Sequence, residues 1–404
     1  MALTIVSFIG KGSRSEQSQG YRTTRYLFPQ PWEGAPDVSV FGVALLKYYE
    51  QRLGKPVDHW IVLGSPQSNW DALLEAVPEN KWDDALNRIH EDVRVAVANE
   101  EKLPSSSGCG QLTQSVLNRW SEALSRRLEH TTIRCQLVGW CEDTDVQLEM
   151  WRVISQEVPE GSELILDITH GFRHQPILLA PMVILLSLLR NISRVELYYG
   201  ALDMPGSKQD GSRVLKLDLF PELITYIRHV SLYQMSGDYE PLMRELISDD
   251  PNLCEELQSI AFLERTNRPV NSKRVGEFLS RASSKISQNH PLQGDLYTLM
   301  QKAMEKHQQP NHLLRMMARA DAAMKHRDYL VAYTLLREVT ERIEPANQEE
   351  EKILNAFRTV RNALVHASDK KAAKYLQSHE TLYNLYKEAR QVVENHLRSG
   401  GGSS

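Results

Sequence analysis

The sequence predicts an α/β amino-terminal half followed by an all-helical remainder. Up to about Asp203, short apolar segments alternate with segments in which apolar residues recur at helical spacing. Strands that alternate with helices in this way run parallel, because each helix carries the chain back across the sheet. After Phe220 only the helical spacing continues. The predicted fold class is therefore a Rossmann-like parallel sheet, followed by an all-α connector and an all-α carboxyl-terminal domain.

The elements of the first half are predicted from apolar runs that end in turn residues. The predicted strands are Leu3 to Ile9, Ile61 to Leu63, Thr132 to Val138, Leu164 to Leu166, Arg194 to Ala201 and a short one at Val214 to Leu217. The predicted helices are Phe41 to Leu53, Trp82 to Asn99, Leu112 to Glu129 and Pro176 to Leu189. Residues 1–219 are assigned to this domain.

The second half is predicted to be a connector over residues 220–305 and a separate domain over residues 306–398. The predicted connector helices are Leu223 to Met235, Tyr239 to Ile247 and Leu253 to Arg265, with another beginning near Pro269. That last helix belongs either to a plain linker or to a small helix-turn-helix. The later helices are predicted at His312 to Lys325, Tyr329 to Ile343, Glu350 to His366 and Ala372 to Leu397. Residues 399–404 are predicted to be a flexible tag or linker tail.

Composition limits the classes of function. Apolar residues make up 41% of the chain and charged residues 25%, as in ordinary globular proteins. A formal net charge of −5 argues against a protein that coats long duplexes but permits a small RNA cleft. The chain opens on a strand rather than a signal peptide, and its longest apolar run is too short to span a bilayer, so a cytoplasmic protein without a membrane partner is expected. The four cysteines lack metal-ligand spacing, and no metal site is predicted.

The run Asp167-Ile168-Thr169-His170-Gly171-Phe172-Arg173 joins an apolar strand to a long apolar helix. Open α/β sheets bind ligands at the carboxyl ends of their strands, which is where this run lies. Gly171 allows a tight turn and close approach to the backbone, while Thr169, His170 and Arg173 offer groups suited to phosphate. An ordinary strand-to-helix turn with solvated side chains remains the alternative.

The sequence Asp-x-Thr-His-Gly-Phe-Arg resembles the signature of a branch of CRISPR-associated CARF proteins. The nucleotide-sensing domain of that family binds cyclic oligoadenylates made by type III interference complexes. Three further runs match in the expected order: Leu3 to Ser13, Ile61 to Asp71 and Arg194 to Ala201. The resemblance implies a cyclic oligoadenylate as allosteric activator, with no other cofactor. The residues expected to bind it are Gly10, Lys11, Gly12, Ser13, Ser65, Gln67, Ser68, Asp167, Thr169, His170, Gly171 and Arg173.

A second informative run, Arg361-Asn362-Ala363-Leu364-Val365-His366, lies on a predicted amphipathic helix. Ile353, Phe357, Val360 and Leu364 share one side of that helix, and Asn355, Arg358, Asn362 and His366 share another. Arg361 lies beside this polar stripe. Arg361 and His366 are separated by about 140° around an ideal helix, so one helix alone would not bring both groups tightly together. A second copy of the helix, related by a two-fold axis, could complete the site.

HEPN ribonucleases carry a motif of Arg-Asn followed by three residues and His. The run from Arg361 to His366 resembles this motif, and it lies downstream of a CARF-like half. The resemblance implies catalytic roles for Arg361, Asn362 and His366. RNA carries its own nucleophile, so cleavage needs a proton acceptor and a cationic clamp but no metal. Histidine can move protons near neutral pH, and arginine can grip two phosphate oxygens. The expected partners are single-stranded RNA and a second copy of the chain, in a homodimer or a higher oligomer.

Three questions stay open from the sequence. A sensor that signals through its helical half without cleaving RNA is one alternative, and a metal-dependent DNA nuclease is another, although no acidic cluster supports it. Some CARF proteins degrade their own activator, and Thr169, His170 and the loop from Gly10 to Ser13 could do so.

Seven tryptophans lie in the first half; most are expected to be core or interface residues, while one or two could stack on adenine.

Overall fold

The computed structural model describes residues 2–12, 22–100, 112–202, 211–286, 290–366 and 370–399. The chain divides into two compact units, residues 1–224 and residues 225–404. The first unit is α/β and the second is all-helical, which confirms the predicted fold class. The finer division into a connector and a last domain at residues 305/306 stays a prediction.

Where the structure describes it, the first unit contains one sheet of eight strands. The strands are β1 Leu3–Ile9, β2 Thr24–Leu27, β3 Asp37–Val38, β4 His59–Gly64, β5 Thr132–Leu137, β6 Glu163–Asp167, β7 Arg194–Ala201 and β8 Ser212–Lys216. Their order is β3-β2-β8-β7-β6-β1-β4-β5. The five strands from β7 to β5 are parallel to one another, as predicted. The opposite edge is mixed, because β8 runs antiparallel to β7 and β3 antiparallel to β2.

Fourteen helices are found among the described residues. In the first unit they are α1 Phe41–Lys47, α2 Asp84–Glu100, α3 Gln114–Ser125, α4 Thr144–Glu157 and α5 His174–Leu189. The remainder are α6 Leu219–Ser236, α7 Glu240–Leu246, α8 Pro251–Arg265, α9 Ser272–Lys285, α10 Pro291–Met304, α11 His312–Lys325, α12 Tyr329–Thr340, α13 Gln348–His366 and α14 His379–Ser399. The helix predicted from Phe41 to Leu53 is α-helical only to Lys47 and continues as a π-helix, Tyr48–Arg52.

Helices cover both faces of the central strands. One face carries α1, α2 and α3 over strand residues that include Ile5, Trp60 and Ile133. The other carries α4 and α5 over residues that include Val6 and Ile61. Successive strand residues therefore point to opposite cores, and both sets are buried, which explains why the strands read as continuous apolar runs.

The second unit has two apolar cores. One is formed by side chains from α6 to α10 and the other by side chains from α11 to α14. The predicted helix Ala372 to Leu397 is shorter than expected, because α14 begins only at His379. Ser378 ends the preceding turn, and its hydroxyl accepts a hydrogen bond from the Thr381 amide at 3.2 Å. A serine at this position stabilises a helix start, so the boundary was readable from the sequence.

Candidate functional site

Among the five parallel strands, the order along the sheet reverses between β1 and β6. After β1 the chain first forms β2 and β3 at the mixed edge and then β4 and β5 beside β1, whereas after β6 it forms β7 on the other side. Because β1 and β6 are parallel neighbours, the segments that follow them lie side by side at the carboxyl ends of the strands. Ligands of doubly wound sheets bind at such a switch point. We call this place the β1/β6 crevice.

Two glycines let the backbone segments at the crevice approach closely. A Cβ atom added to Gly10 would lie 2.2 Å from the carbonyl oxygen of His170. A Cβ atom added to Gly171 would lie 3.0 Å from the Phe8 ring. Lys11 and Gly12 continue from Gly10 and are exposed, whereas Ser13 lies outside the described residues. The structure therefore brings the two predicted glycine turns together, with a lysine beside them.

The polar turn after β4 holds the end of β1 in place through hydrogen bonds. The Ser68 hydroxyl donates to the carbonyl oxygen of Ile9 at 2.7 Å and accepts from the Ser65 amide at 3.0 Å. Both serines are buried. Gln67 donates through Nε2 to the Glu100 carbonyl oxygen at 3.3 Å. Ser65 and Ser68 thus fix the end of β1, and Gln67 fixes the end of α2.

The side chains of Asp167 and Thr169 accept hydrogen bonds from backbone amides. The buried Asp167 carboxylate accepts from the Thr169 amide at 2.8 Å. The Thr169 hydroxyl in turn accepts from the Gly200 amide on β7 at 2.9 Å. Burial raises the pKa of Asp167 to about 7, although hydrogen bonds from Thr169 and Ser7 oppose the rise. These two side chains tie the turn to the neighbouring strands.

His170 caps a helix. The helix α1 has no capping side chain of its own, and His170 accepts a hydrogen bond at Nε2 from the Phe41 amide at 3.0 Å. An imidazole that accepts at Nε2 is neutral and carries its proton on Nδ1. Part of the residue is exposed, but burial of the imidazole lowers the pKa of His170 to about 4, so the neutral form dominates at neutral pH. Arg173 is exposed beside the start of α5.

The second predicted group lies on α13. Phe357 and Val360 are fully buried, and Phe357 stacks on Tyr333 with ring centroids 4.5 Å apart. Asn362 and His366 are exposed, while Arg361 is half-buried. Arg361 donates through Nη1 to the Asn362 side-chain oxygen at 3.4 Å. The helix therefore brings Arg361 and Asn362 together, whereas His366 makes no hydrogen bond to another described residue.

Sequence reasoning missed an aromatic cluster at the carboxyl edge of the sheet. Trp140 follows β5, Phe172 and His174 follow β6, and the Phe172 ring contacts both of the others. The available signal was Gly139, a turn residue that places Trp140 directly after a strand. Three other tryptophans, Trp60, Trp70 and Trp120, are fully buried, as expected for core residues.

A cavity of about 260 Å³ in the helical unit is lined by none of the residues in these two groups. Glu264 and Arg319 are among its lining residues. Glu264 pairs with His307 and Lys306, whose hydrogen bonds and charge hold its pKa low even though burial acts in the opposite direction. Arg319 donates to the Glu264 carbonyl oxygen at 3.0 Å. These bonds join α8 to α11, so the cluster stabilises the unit.

Comparison with known proteins identifies the first unit. Residues 4–203 match the family described as CRISPR system endoribonuclease Csx1, CARF domain. The chain belongs to the CRISPR-associated CARF proteins. The matched CARF domain includes β1, the Asp-x-Thr-His-Gly-Phe-Arg turn and β7, which confirms the resemblance inferred from those runs.

Two further matches accompany the CARF domain. The CRISPR-associated protein MJ1674 of Methanocaldococcus jannaschii is 23% identical over 269 residues, which are 65% of this chain and 41% of that protein. The chain thus spans less than half the length of that relative. A structure of Enterococcus italicus Csm6 bound to cyclic hexa-2′-fluoro-hexa-dAMP aligns over 99% of this chain and 95% of its own, at 12% identity and a TM-score of 0.35. That score is too low to establish a shared fold. Within the described ranges, no helix is long and apolar enough to cross a bilayer.

Proposed function

We propose that this CARF protein is a metal-independent endoribonuclease that a cyclic oligoadenylate activates in type III CRISPR defence. The observation that carries the proposal is the pairing of a CARF domain with an Arg-Asn-x-x-x-His sequence on the outer side of α13. The CARF domain supplies a nucleotide-binding crevice. Arg361, Asn362 and His366 supply side chains suited to binding phosphate and transferring protons.

The activator binds over the β1/β6 crevice. Gly10, Gly12 and Gly171 leave the backbone accessible, and Lys11 and Arg173 provide positive charge for phosphates. Asp167, Thr169, Ser65 and Ser68 position this backbone through the contacts described above. His170 has its Nδ1–H left to donate, because Nε2 is used by α1.

The CARF protein forms a homodimer through α5. This helix has no charged residue from Gln175 to Leu189. One side packs on the sheet through Leu179, Val183 and Leu186, yet the other side leaves apolar residues exposed. Ile177 is 72% exposed, Leu188 51% and Leu189 61%. A continuous apolar surface of this kind marks a protein interface, and a two-fold axis along α5 would bring two crevices together for one cyclic ligand.

The nuclease chemistry follows from the residue types on α13. His366 accepts the proton of the RNA 2′-hydroxyl as its oxygen attacks the adjacent phosphorus, and Arg361 stabilises the negative charge on the phosphate. The bond from phosphorus to the 5′-oxygen breaks, and that oxygen takes up a proton. The products are a 2′,3′-cyclic phosphate and a 5′-hydroxyl. Asn362 positions Arg361, with which it already shares a hydrogen bond.

Activation requires that the cyclic oligoadenylate bind the active arrangement more tightly than the resting one. A ligand with equal affinity for both arrangements would change nothing, however tightly it bound.

The decisive experiment is to incubate the purified protein with labelled RNA or DNA in EDTA, with cyclic oligoadenylates of different ring sizes. We expect cleavage of RNA alone, dependent on one ring size. His366→Ala should lower the cleavage rate about 100- to 10,000-fold and leave activator affinity unchanged. Lys387→Ala, on an exposed site of α14, is the matched control and should cleave normally.

Three outcomes would contradict the proposal. Activator binding without RNA cleavage would leave a sensor that signals to another partner. DNA cleavage that EDTA abolishes would indicate a metal-dependent nuclease. Full activity in His366→Ala would remove this histidine from the reaction.

A further inference from the structure

The aromatic cluster consists of Trp140, Phe172 and His174. The Trp140 and Phe172 ring centroids are 5.0 Å apart at 58°, and the His174 ring stacks on Phe172 at 6.0 Å and 22°. Phe172 is 41% exposed, His174 is exposed and Trp140 is half-buried. Rings of this kind usually enter a core, because each buries a large apolar area. Here they remain accessible at the surface.

The segment that carries Trp140 is held in a demanding backbone conformation. Gly139 has φ of 58° and Cys141 has φ of 56°, so left-handed residues flank the tryptophan on both sides. For a residue other than glycine, this conformation costs about 1 kcal/mol or more. Three side chains hold the segment: His174 donates to the Trp140 carbonyl oxygen at 2.6 Å, and Gln147 and Gln175 donate to Cys141. The backbone that carries the ring is thereby held in place.

The cluster lies beside the β1/β6 crevice. Trp140 reaches from the end of β5, at the edge of the sheet, to Phe172 in the turn after β6. Phe172 directly follows Gly171, which packs on Phe8 at the end of β1. Arg173 is exposed between Phe172 and His174. Flat apolar rings beside a guanidinium match a nucleotide, which has a flat base beside an anionic phosphate.

Four of the six other tryptophans in this unit use their indole N–H group within the chain. Trp60, Trp70, Trp82 and Trp120 each donate through Nε1 to an oxygen of the chain, at 2.9 to 3.1 Å. Trp140 Nε1 donates to none of the described residues. Because Trp140 is half-buried, its N–H group is open to a ligand or to water.

We propose that Trp140, Phe172 and His174 form a stacking surface for an adenine base of the cyclic oligoadenylate. The inference rests on the proposed activator and adds the contact that holds its base. A base stacked on an aromatic side chain gains about 1 to 3 kcal/mol, whichever purine it is, so the cluster supplies affinity while other contacts supply base specificity.

The test measures affinity for cyclic tetra-adenylate and cyclic hexa-adenylate by calorimetry. Trp140→Ala should weaken binding of the preferred ring about five- to a hundredfold, which corresponds to the stacking energy of one base. Trp140→Phe should keep most of the affinity. Trp82→Ala is the matched control, because Trp82 is 42% exposed in the same unit. Its neighbour Lys81 pairs with Glu129, which precedes β5, whereas Trp140 follows the carboxyl end of that strand.

A second measurement reports stacking directly. A cyclic oligoadenylate in which 2-aminopurine replaces one adenine should lose fluorescence on binding to the wild-type protein and to Trp140→Phe. It should lose less fluorescence on binding to Trp140→Leu. The leucine variant retains apolar volume, so it gives the same comparison if Trp140→Ala does not fold. If the wild-type protein binds neither ring, the proposed activator is wrong. If it binds a ring while Trp140→Leu and Phe172→Leu bind equally well with full quenching, the activator stands and the stacking surface is rejected.

Discussion

His170 and Asp167 lie three residues apart, and burial favours the neutral form of each. Asp167 has its pKa raised from 3.8 to about 7, and His170 has its pKa lowered from 6.5 to about 4. For Asp167, the raised pKa contributes stability that is present below pH 3.8 and is lost as the pH rises through about 7. For His170, the lowered pKa contributes stability that is present above pH 6.5 and is lost as the pH falls through about 4. Between these limits the two contributions oppose each other.

We therefore expect two single variants to change stability with opposite dependence on pH. In the Asp167→Asn variant only the His170 contribution remains. The free energy of unfolding of this variant should therefore fall as the pH decreases from 6.5 to 4.5. His170→Gln should leave the Asp167 contribution, and its free energy of unfolding should rise as the pH decreases from 7.5 to 4.5. Each slope is at most about 1.4 kcal/mol per pH unit, and that from the partly exposed His170 is shallower. Urea unfolding at several pH values measures both.

The exposed Asp37, which pairs with Arg25 at 3.4 Å, provides the control for these variants. Asp37→Asn should follow the wild-type profile. Parallel profiles for Asp167→Asn and His170→Gln would show that burial does not shift the two groups in opposite directions.

The contact between Gly10 and His170 gives a second prediction. Gly10→Ala places a Cβ atom 2.2 Å from a backbone oxygen, so the end of β1 must move. Overpacking of this kind costs about 1 to 3 kcal/mol and should also weaken activator binding. Gly294→Ala on α10 is the matched control, since nothing lies within 4 Å of its added Cβ atom. It should be neutral or stabilise the protein by about 0.5 to 1 kcal/mol. Equal unfolding temperatures for the two variants would contradict the argument.

The sequence predicted which residues gather at the crevice better than it predicted what each one does. Gly10 and Gly171 were recognised because glycine marks turns and close approaches. Thr169 and His170 were predicted to bind the ligand, yet in the structure they also bond to Gly200 and Phe41. Residue type reveals that a side chain can form a hydrogen bond, but not which partner it meets. Phe41 lies 129 positions from His170, and no local pattern records that contact.

At the level of elements, α5 provides a test of the proposed homodimer. Leu185 is 48% exposed on the uncharged side of this helix. Leu185→Asp would place a carboxylate in the apolar interface, and we expect the dimer dissociation constant to rise at least tenfold. Sedimentation velocity over a concentration series measures it. Val95→Asp on α2, which covers the opposite face of the sheet, is the control, because Val95 is 44% exposed and should leave association unchanged. A wild-type monomer, or an unaltered Leu185→Asp dimer, would reject α5 as the interface.

The strands and helices themselves were predictable to different degrees. β7 and α11 have the predicted ends because each is a long periodic segment between turn residues. Neither β2 nor β3 was predicted, since they are only 4 and 2 residues long and largely polar. Short edge strands depend on pairing with a neighbour, here β8 for β2, rather than on their own sequence. The mixed edge of the sheet was missed for that reason.

At the level of the whole molecule, the proposed composite nuclease site predicts complementation between inactive subunits. Arg361→Ala and His366→Ala homodimers should each be inactive. If Arg361 of one subunit works with His366 of the partner subunit, a mixed dimer retains one site in which both residues are intact. Random mixing would then restore about a quarter of wild-type cleavage, because half the dimers are mixed and each has one working site. Cleavage measured after exchange of the subunits decides the point. No recovery would show that both residues act within one subunit.

The position of β1 between β4 and β6 also governs when the sensor forms during synthesis. β1 pairs with β4 on one side and with β6 on the other, and 98 residues separate Gly64 at the end of β4 from Glu163 at the start of β6. At about 5 to 20 residues per second, a ribosome needs roughly 5 to 20 s to make that stretch. Throughout this interval the nascent chain presents one unpaired edge of β1, a strand with apolar side chains at five of its seven positions, which is prone to pair with other chains. Folding of the sensor therefore depends on synthesis reaching β6, so a nascent chain that stalls before Asp167 is the form most in need of chaperones.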